Sequence, residues 1–92
     1  MSSTETVELD TPVERDGGNV ESITLRKPSA GELRGLSLAD VIQMDTGTII
    51  KLVPRISQPT LTEQEVGAMD PADLTEVAGK VASFLVQRRH KE

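Results

Sequence analysis

Few residues in this chain have the type and spacing for bond-making chemistry. The single histidine, His90, lies close to the C-terminus, and there is no cysteine. A nucleophile needs a base within hydrogen-bond reach, and His90 falls on the end of a helix, away from any serine or threonine cluster. No His/Cys grouping has metal-ligand spacing. The glycines of "DGGN" lack the Lys-Ser/Thr that completes a phosphate loop. The acids Glu63, Glu65, Asp70 and Asp73 stand where helices begin, which matches the positive end of a helix dipole. The expectation is a protein that is not an enzyme and uses no metal or cofactor.

What does recur is the chemistry of helix starts. Ser29 with Glu32 and Thr62 with Glu65 have the spacing of a capping box, in which a hydroxyl and a carboxylate each satisfy a free backbone N–H. Ser37 with Asp40 repeats the pattern. Asp70-Pro71 places a good cap before a proline at the first helical position. These starts divide the second half of the chain into short helices. Gly35 interrupts the first. A segment from Thr46 to Val53 reads as a helix that Pro54 should end or kink, with a buried strand as the alternative. "LVPR", Leu52 to Arg55, is read as native sequence ending it. The last helix carries Leu74, Val77, Ala78, Val81, Phe84 and Leu85 at spacings of three and four, an amphipathic stripe. Its cationic end, Arg88, Arg89 and Lys91, suits the negative end of the dipole.

Before Pro28 the period is two. Val7, Leu9, Thr11 and Val13 alternate with acids, and Ile23 and Leu25 alternate with Thr24 and Arg26. "RDGGN" between them accepts positive φ. This predicts a β-hairpin whose first strand is an edge, bulged or short at Pro12. A hairpin alone is marginal in water and must pack on something. The fold expected is α+β: an N-terminal β-hairpin packed on a small, mainly helical bundle of four to five short helices. Residues 1–6 are expected as a disordered tail, 7–27 as the hairpin and 28–92 as the helical region, one domain over 7–88.

With 92 residues, the chain is near the size where one core suffices without staples. The net charge is −5 and the only aromatic is Phe84. An acidic chain without stacking side chains is a poor nucleic-acid binder. No apolar run approaches the roughly 20 residues that span a bilayer, and "MSSTETVELD" lacks the basic and apolar regions of a secretory signal. The expectation is an intracellular protein with neither nucleic acid nor membrane as partner.

At "ITLRKPSAGELRGLSLADV" the chain resembles the tail assembly chaperone family of contractile-tailed (myovirus-like) bacteriophages and related prophages. Ile23 to Pro28 and Ala30 to Leu36 carry the resemblance, and "LVPRISQPTLTEQEVGAMDPADLTEVA" extends it, over about residues 23 to 85. The resemblance implies a non-enzymatic protein that coats the long tape measure protein and keeps it soluble until the tail tube polymerises around it. It implies further partners: a longer frameshift product of the same gene, the tail tube protein, and further copies of the chain. The place of action would be the cytoplasm of the bacterial host, and the protein would be absent from the mature virion. The rival reading is a minor tail or baseplate component retained in the particle.

Two candidate contact surfaces follow. Leu33 and Leu36 are expected to feed the core, while Glu32, Arg34 and Leu38 form a polar-rimmed edge beside them. Leu61, Val66 and Met69 form the second patch, in which a methionine can adapt to a partner of irregular sequence, with a core role expected for at least one of the three.

Overall fold

A computed structural model describes residues 4–86. Strands β1 (Thr4–Val13) and β2 (Val20–Arg26) form the expected antiparallel hairpin. Val7 and Leu9 point into the core while Glu8 and Asp10 face out, as the alternation requires. The connection is closed by a 3.1 Å bond from the Gly18 N–H to the Arg15 carbonyl, with Gly18 at φ +130°. A third strand, β3 (Ser57–Gln58), pairs antiparallel with β2, so the order is β1-β2-β3 and β1 is an edge.

After β2 comes a 3-10 turn, Ala30–Leu33, and then four α-helices: α1 (Leu38–Ile42), α2 (Thr46–Ile56), α3 (Glu63–Gly67) and α4 (Pro71–Val86). The fold is α+β, a three-stranded sheet with the helices packed around one core. Val7, Ile23, Leu25, Ile49, Leu52, Val77, Val81 and Phe84 lie at its centre, each at most 1% exposed. Of the α4 stripe, Val77, Ala78, Val81 and Phe84 are buried and Leu74 and Leu85 pack part-buried beside them.

Several expectations need correction. The strand starts at Thr4, so Thr4 to Thr6 are paired with Arg26, Leu25 and Thr24 and are not a disordered tail; residues 1–3 lie outside the described residues, as do His90 and the cations Arg88, Arg89 and Lys91. The sheet is not confined to residues 7–27, because Ser57 and Gln58 belong to it. The segment beginning at Ala30 is a 3-10 turn and not an α-helix. Pro54 does not end α2, which continues to Ile56. A proline removes one i→i−4 bond, and near the end of α2 the helix tolerates that single loss and continues to Ile56, which is buried in the core.

One of the joins between the sheet and the helices is a buried carboxylate. Asp73, only 2% exposed, lies in the first turn of α4. Its two oxygens accept the backbone N–H groups of Asp10 at 2.9 Å and Thr11 at 3.0 Å. This is where pairing of β1 with β2 breaks, between Glu8 and Val13. Two successive N–H groups turned to one side mark a bulge, and Asp73 satisfies both. Among the described residues, no buried side-chain polar atom lacks a partner. Replacing Asp73 with alanine strands two donors and should lower unfolding stability by about 2 kcal/mol. Asp73→Asn, which keeps one acceptor, should lose less. Urea titrations of the two variants check the order.

Candidate functional site

The motif from Lys27 to Val41 is first of all architecture. The Ser29 N–H donates to the Glu32 carboxylate at 3.0 Å, one arm of the expected capping box. The same carboxylate forms a two-pronged ion pair with Arg26 at the end of β2. Arg26 also donates to the Arg55 carbonyl near the end of α2 at 2.9 Å, and Arg55 donates to the Glu32 carbonyl at 2.6 Å and the Arg34 carbonyl at 3.2 Å. Two arginines thus tie β2, the 3-10 turn and α2 together. Arg34 (φ −57°, ψ 134°) and Gly35 (φ +84°) are the central pair of a type II turn closed by a 2.9 Å bond from the Leu36 N–H to the Leu33 carbonyl. That turn needs positive φ at its third residue, which is why a glycine stands at position 35.

This arrangement separates the candidates of the first surface. Glu32 is engaged within the fold, Leu33 and Leu36 pack part-buried against the core, and the Arg34 side chain is exposed. Leu38 is 55% exposed. The second surface lies largely inside the fold, with Met69 alone of the three lining an open pocket beside β1. Leu61 and Val66 are fully enclosed and Met69 is buried, because α3 lies on α2 and turns its apolar face inward. The Ser57 hydroxyl accepts the Leu61 N–H at 3.1 Å and fixes the approach. Leu61, Val66 and Met69 are core residues.

The exposed apolar surface lies on α1 and the corner after it. Ser37 caps α1 by accepting the Asp40 N–H at 3.3 Å. Asp45 caps α2 by accepting from the Thr48 N–H at 3.1 Å and its hydroxyl at 2.9 Å. The caps leave seven residues between them, Leu38 to Met44. So short a helix can turn only Val41 into the core. Leu38 and Ile42, one turn apart, share the outward face. The corner is a Schellman motif: the Met44 N–H bonds the Val41 carbonyl at 3.0 Å and the Asp45 N–H bonds the Asp40 carbonyl at 2.9 Å. The residue at its left-handed position is usually glycine; here it is Met44, at φ +60°. Met44 is 44% exposed and Ile42 45%.

Beside this ridge a cavity of about 260 Å³ opens between the corner after α1, α2 and α4. Met44, Ile49, Leu74 and Ala78 give its apolar wall, and Gln43, Thr46 and Thr75 its polar edge. Ridge and cavity together can receive apolar side chains from another chain. Ile42 and Met44 were not among the sequence candidates. The signal was the distance between two caps, too short for a helix that buries more than one face.

Two two-pronged ion pairs brace the scaffold, and Lys80 of α4 adds a looser one to Glu5 of β1 at 3.6 Å. Besides Arg26–Glu32, Arg15 in the hairpin connection forms a two-pronged pair with Glu65 at 2.8 Å and donates to the Thr60 carbonyl. Glu65 is also the acid of the Thr62 capping box. Hydrogen bonds from the arginine, then from the cap N–H, lower Glu32 and Glu65 from an ordinary value near 4.5 to about 2. A depressed folded pKa means stability present above the unfolded value and lost as pH falls through the folded one. Both pairs should therefore hold at neutral pH and weaken as pH drops from about 4.5 to about 2. A carboxyl NMR titration should place both midpoints at the low end of that range, and Arg15→Ala should return Glu65 alone towards the ordinary value.

A family model described as "Phage tail assembly chaperone proteins, E, or 41 or 14" matches residues 6–86. Tail assembly protein E of Escherichia phage P2 is 48% identical over 85 residues, covering 92% of this chain and 93% of that protein. Tail assembly protein E′ of the same phage is 49% identical over 86 residues, covering 94% of this chain, which spans 61% of the length of E′. No solved structure matches the chain.

A left-handed conformation costs a residue with a Cβ about 1–2 kcal/mol. Met44→Gly should remove that strain and raise stability, by about 0.5–1 kcal/mol after the added chain entropy of glycine. A urea midpoint that falls would mean that Met44 serves the fold and not the surface.

Proposed function

The chain belongs to the phage tail assembly chaperone family, and from that premise we propose that it binds the tape measure protein and keeps it in solution until the tail tube forms around it. The supporting observation is the ridge of Leu38, Ile42 and Met44 beside an open cavity, on a chain of net charge −5. A long helical partner exposes apolar stripes before assembly, and an amphipathic helix is read by a groove that takes side chains at successive turns. The partner must also leave. A ridge of three aliphatic side chains with no tryptophan or tyrosine favours modest contacts over tight anchors. The acidic exterior keeps such a protein from associating with itself without order. The role is binding without catalysis.

The resemblance and the relatives add detail to the proposal. E and E′ match this chain over almost the same length and differ in how much lies beyond it. A longer product of the same gene, sharing this domain, would carry the same ridge and add a second contact. The setting would be the cytoplasm of a host making a contractile tail, with the tail tube protein as the next partner.

Co-expression with the tape measure protein encoded beside it tests the proposal. The tape measure protein should move into the soluble fraction and co-purify. The double variant Leu38→Glu, Ile42→Glu changes only exposed positions and should stay folded while losing capture. A tape measure protein that stays insoluble, with no complex recovered, refutes the assignment. Stoichiometric recovery of the chain in purified particles would favour a retained tail component instead.

A further inference from the structure

We propose that a second copy of the chain docks in the open pocket beside the β1 bulge, and that the part of it that enters is the basic segment after α4, Val86 to Lys91. This contact is separate from the ridge, and the partner assignment above does not depend on it.

The pocket is the first observation. It opens between the end of β1, α3 and the residues before α4, with a volume of about 410 Å³, within the range of sites that take a ligand. Pro12, Val13 and Met69 are part of its apolar lining, and Glu14, Gln64, Glu65 and Asp70 of its polar lining. Glu65 is held by Arg15, and Asp70 is engaged in part, because it accepts the Ala72 N–H at 2.8 Å. Glu14 is exposed and pairs with no base among the described residues. No lysine or arginine among the described residues lines the pocket. Arg15, next to Glu14 in the chain, is already engaged by Glu65 and the Thr60 carbonyl. An apolar lining beside an unneutralised acid favours a segment that joins an apolar side chain to a cation.

The chain carries such a segment. Val86 is exposed at the end of α4, and Arg88, Arg89 and Lys91 after it are the densest group of bases in the sequence. Arginine suits the pocket, because its planar fork can take a carboxylate by two donors.

Reach makes the contact intermolecular. Strand β1 and α4 run in opposite directions: Asp73 meets Asp10 and Thr11, and further along Lys80 meets Glu5. The pocket lies at the Asp73 end and Val86 at the other. With 16 residues in α4, about 24 Å separate its ends at roughly 1.5 Å per residue. Fully extended, Arg89 extends about 10 Å beyond Val86 and Lys91 about 17 Å. Neither returns to the pocket of its own chain, whereas both are free to enter a neighbour's. A contact between two different patches is heterologous, so it repeats from copy to copy and either closes into a ring or continues as an open row.

Sedimentation velocity on the whole chain tests this. The chain should associate as its concentration rises, and high salt should weaken the association about five- to tenfold. Glu14→Lys with Gln64→Lys alters two exposed pocket residues, and Arg88→Glu with Arg89→Glu alters the segment. Each pair should leave monomers. Mixed in equal amounts, one variant supplies an intact segment and the other an intact pocket, so the mixture should stop at dimers. Glu8→Lys with Ser22→Lys makes the same change of charge as the pocket pair on the outer face of the sheet and should leave association intact. The ridge variant Leu38→Glu, Ile42→Glu should do so too. A synthetic peptide of residues 86–91 should bind the segment variant, and bind the pocket variant about tenfold less tightly. A chain that stays monomeric overturns the proposal. So does association that survives the pocket or the segment variant, or that the sheet pair abolishes equally, which would reflect net charge alone. Loss of association in the ridge variant would assign the second copy to the ridge and overturn it as well. None of these outcomes alters the co-expression result expected for the tape measure protein.

Discussion

Two arginines hold this protein's sheet to its helices, and the position of the exposed ridge follows from them. Arg26 reaches from the last residue of β2 to the Glu32 carboxylate and the Arg55 carbonyl, while Arg55 reaches back to the carbonyls of Glu32 and Arg34. Each guanidinium offers several donors in a planar fork, so one side chain can join segments distant in sequence. With the 3-10 turn fixed on both sides, the type II turn at Arg34 and Gly35 sends the chain into α1 in one direction only. The residues that carry the resemblance, Ile23 to Leu36, are thus in large part those that set where α1 starts.

Much of this was legible in local chemistry. Capping pairs act over three residues, so Ser37, Thr62 and Asp70 marked their helices correctly, and the two-residue period marked the hairpin. What failed was whatever depended on distance. The bonds from Asp73 to the β1 backbone join residues more than sixty positions apart, and no spacing rule reaches that far. Strand β3 is two residues long, too short for any period. Leu61, Val66 and Met69 were misplaced for a related reason: a repeating apolar pattern identifies a face but not whether another element covers it, and α2 covers this one. The ridge was half legible. Leu38 was read as an edge residue, whereas Ile42 and Met44 needed the recognition that two close caps leave a helix too small to hide its own apolar side chains.

The two halves of the molecule divide stability from interaction. Asp73, Arg15–Glu65 and Arg26–Glu32 are used within the fold, and their partners are fixed by geometry. The α1 corner has the reverse character: a short helix, a strained methionine and an open cavity, with buried packing on one side only. Segments with few buried contacts are where local opening is easiest. The stable part of the fold presents the corner without depending on it.

The bulge in β1 also governs how the sheet meets other chains. The amides of Asp10 and Thr11 are occupied by Asp73, and Pro12 has none to give. Three consecutive residues of the outer strand therefore offer no free donor, and a foreign strand laid along this border would meet a gap in its ladder. The sheet is in this way protected from edge-to-edge pairing with another chain along its own margin.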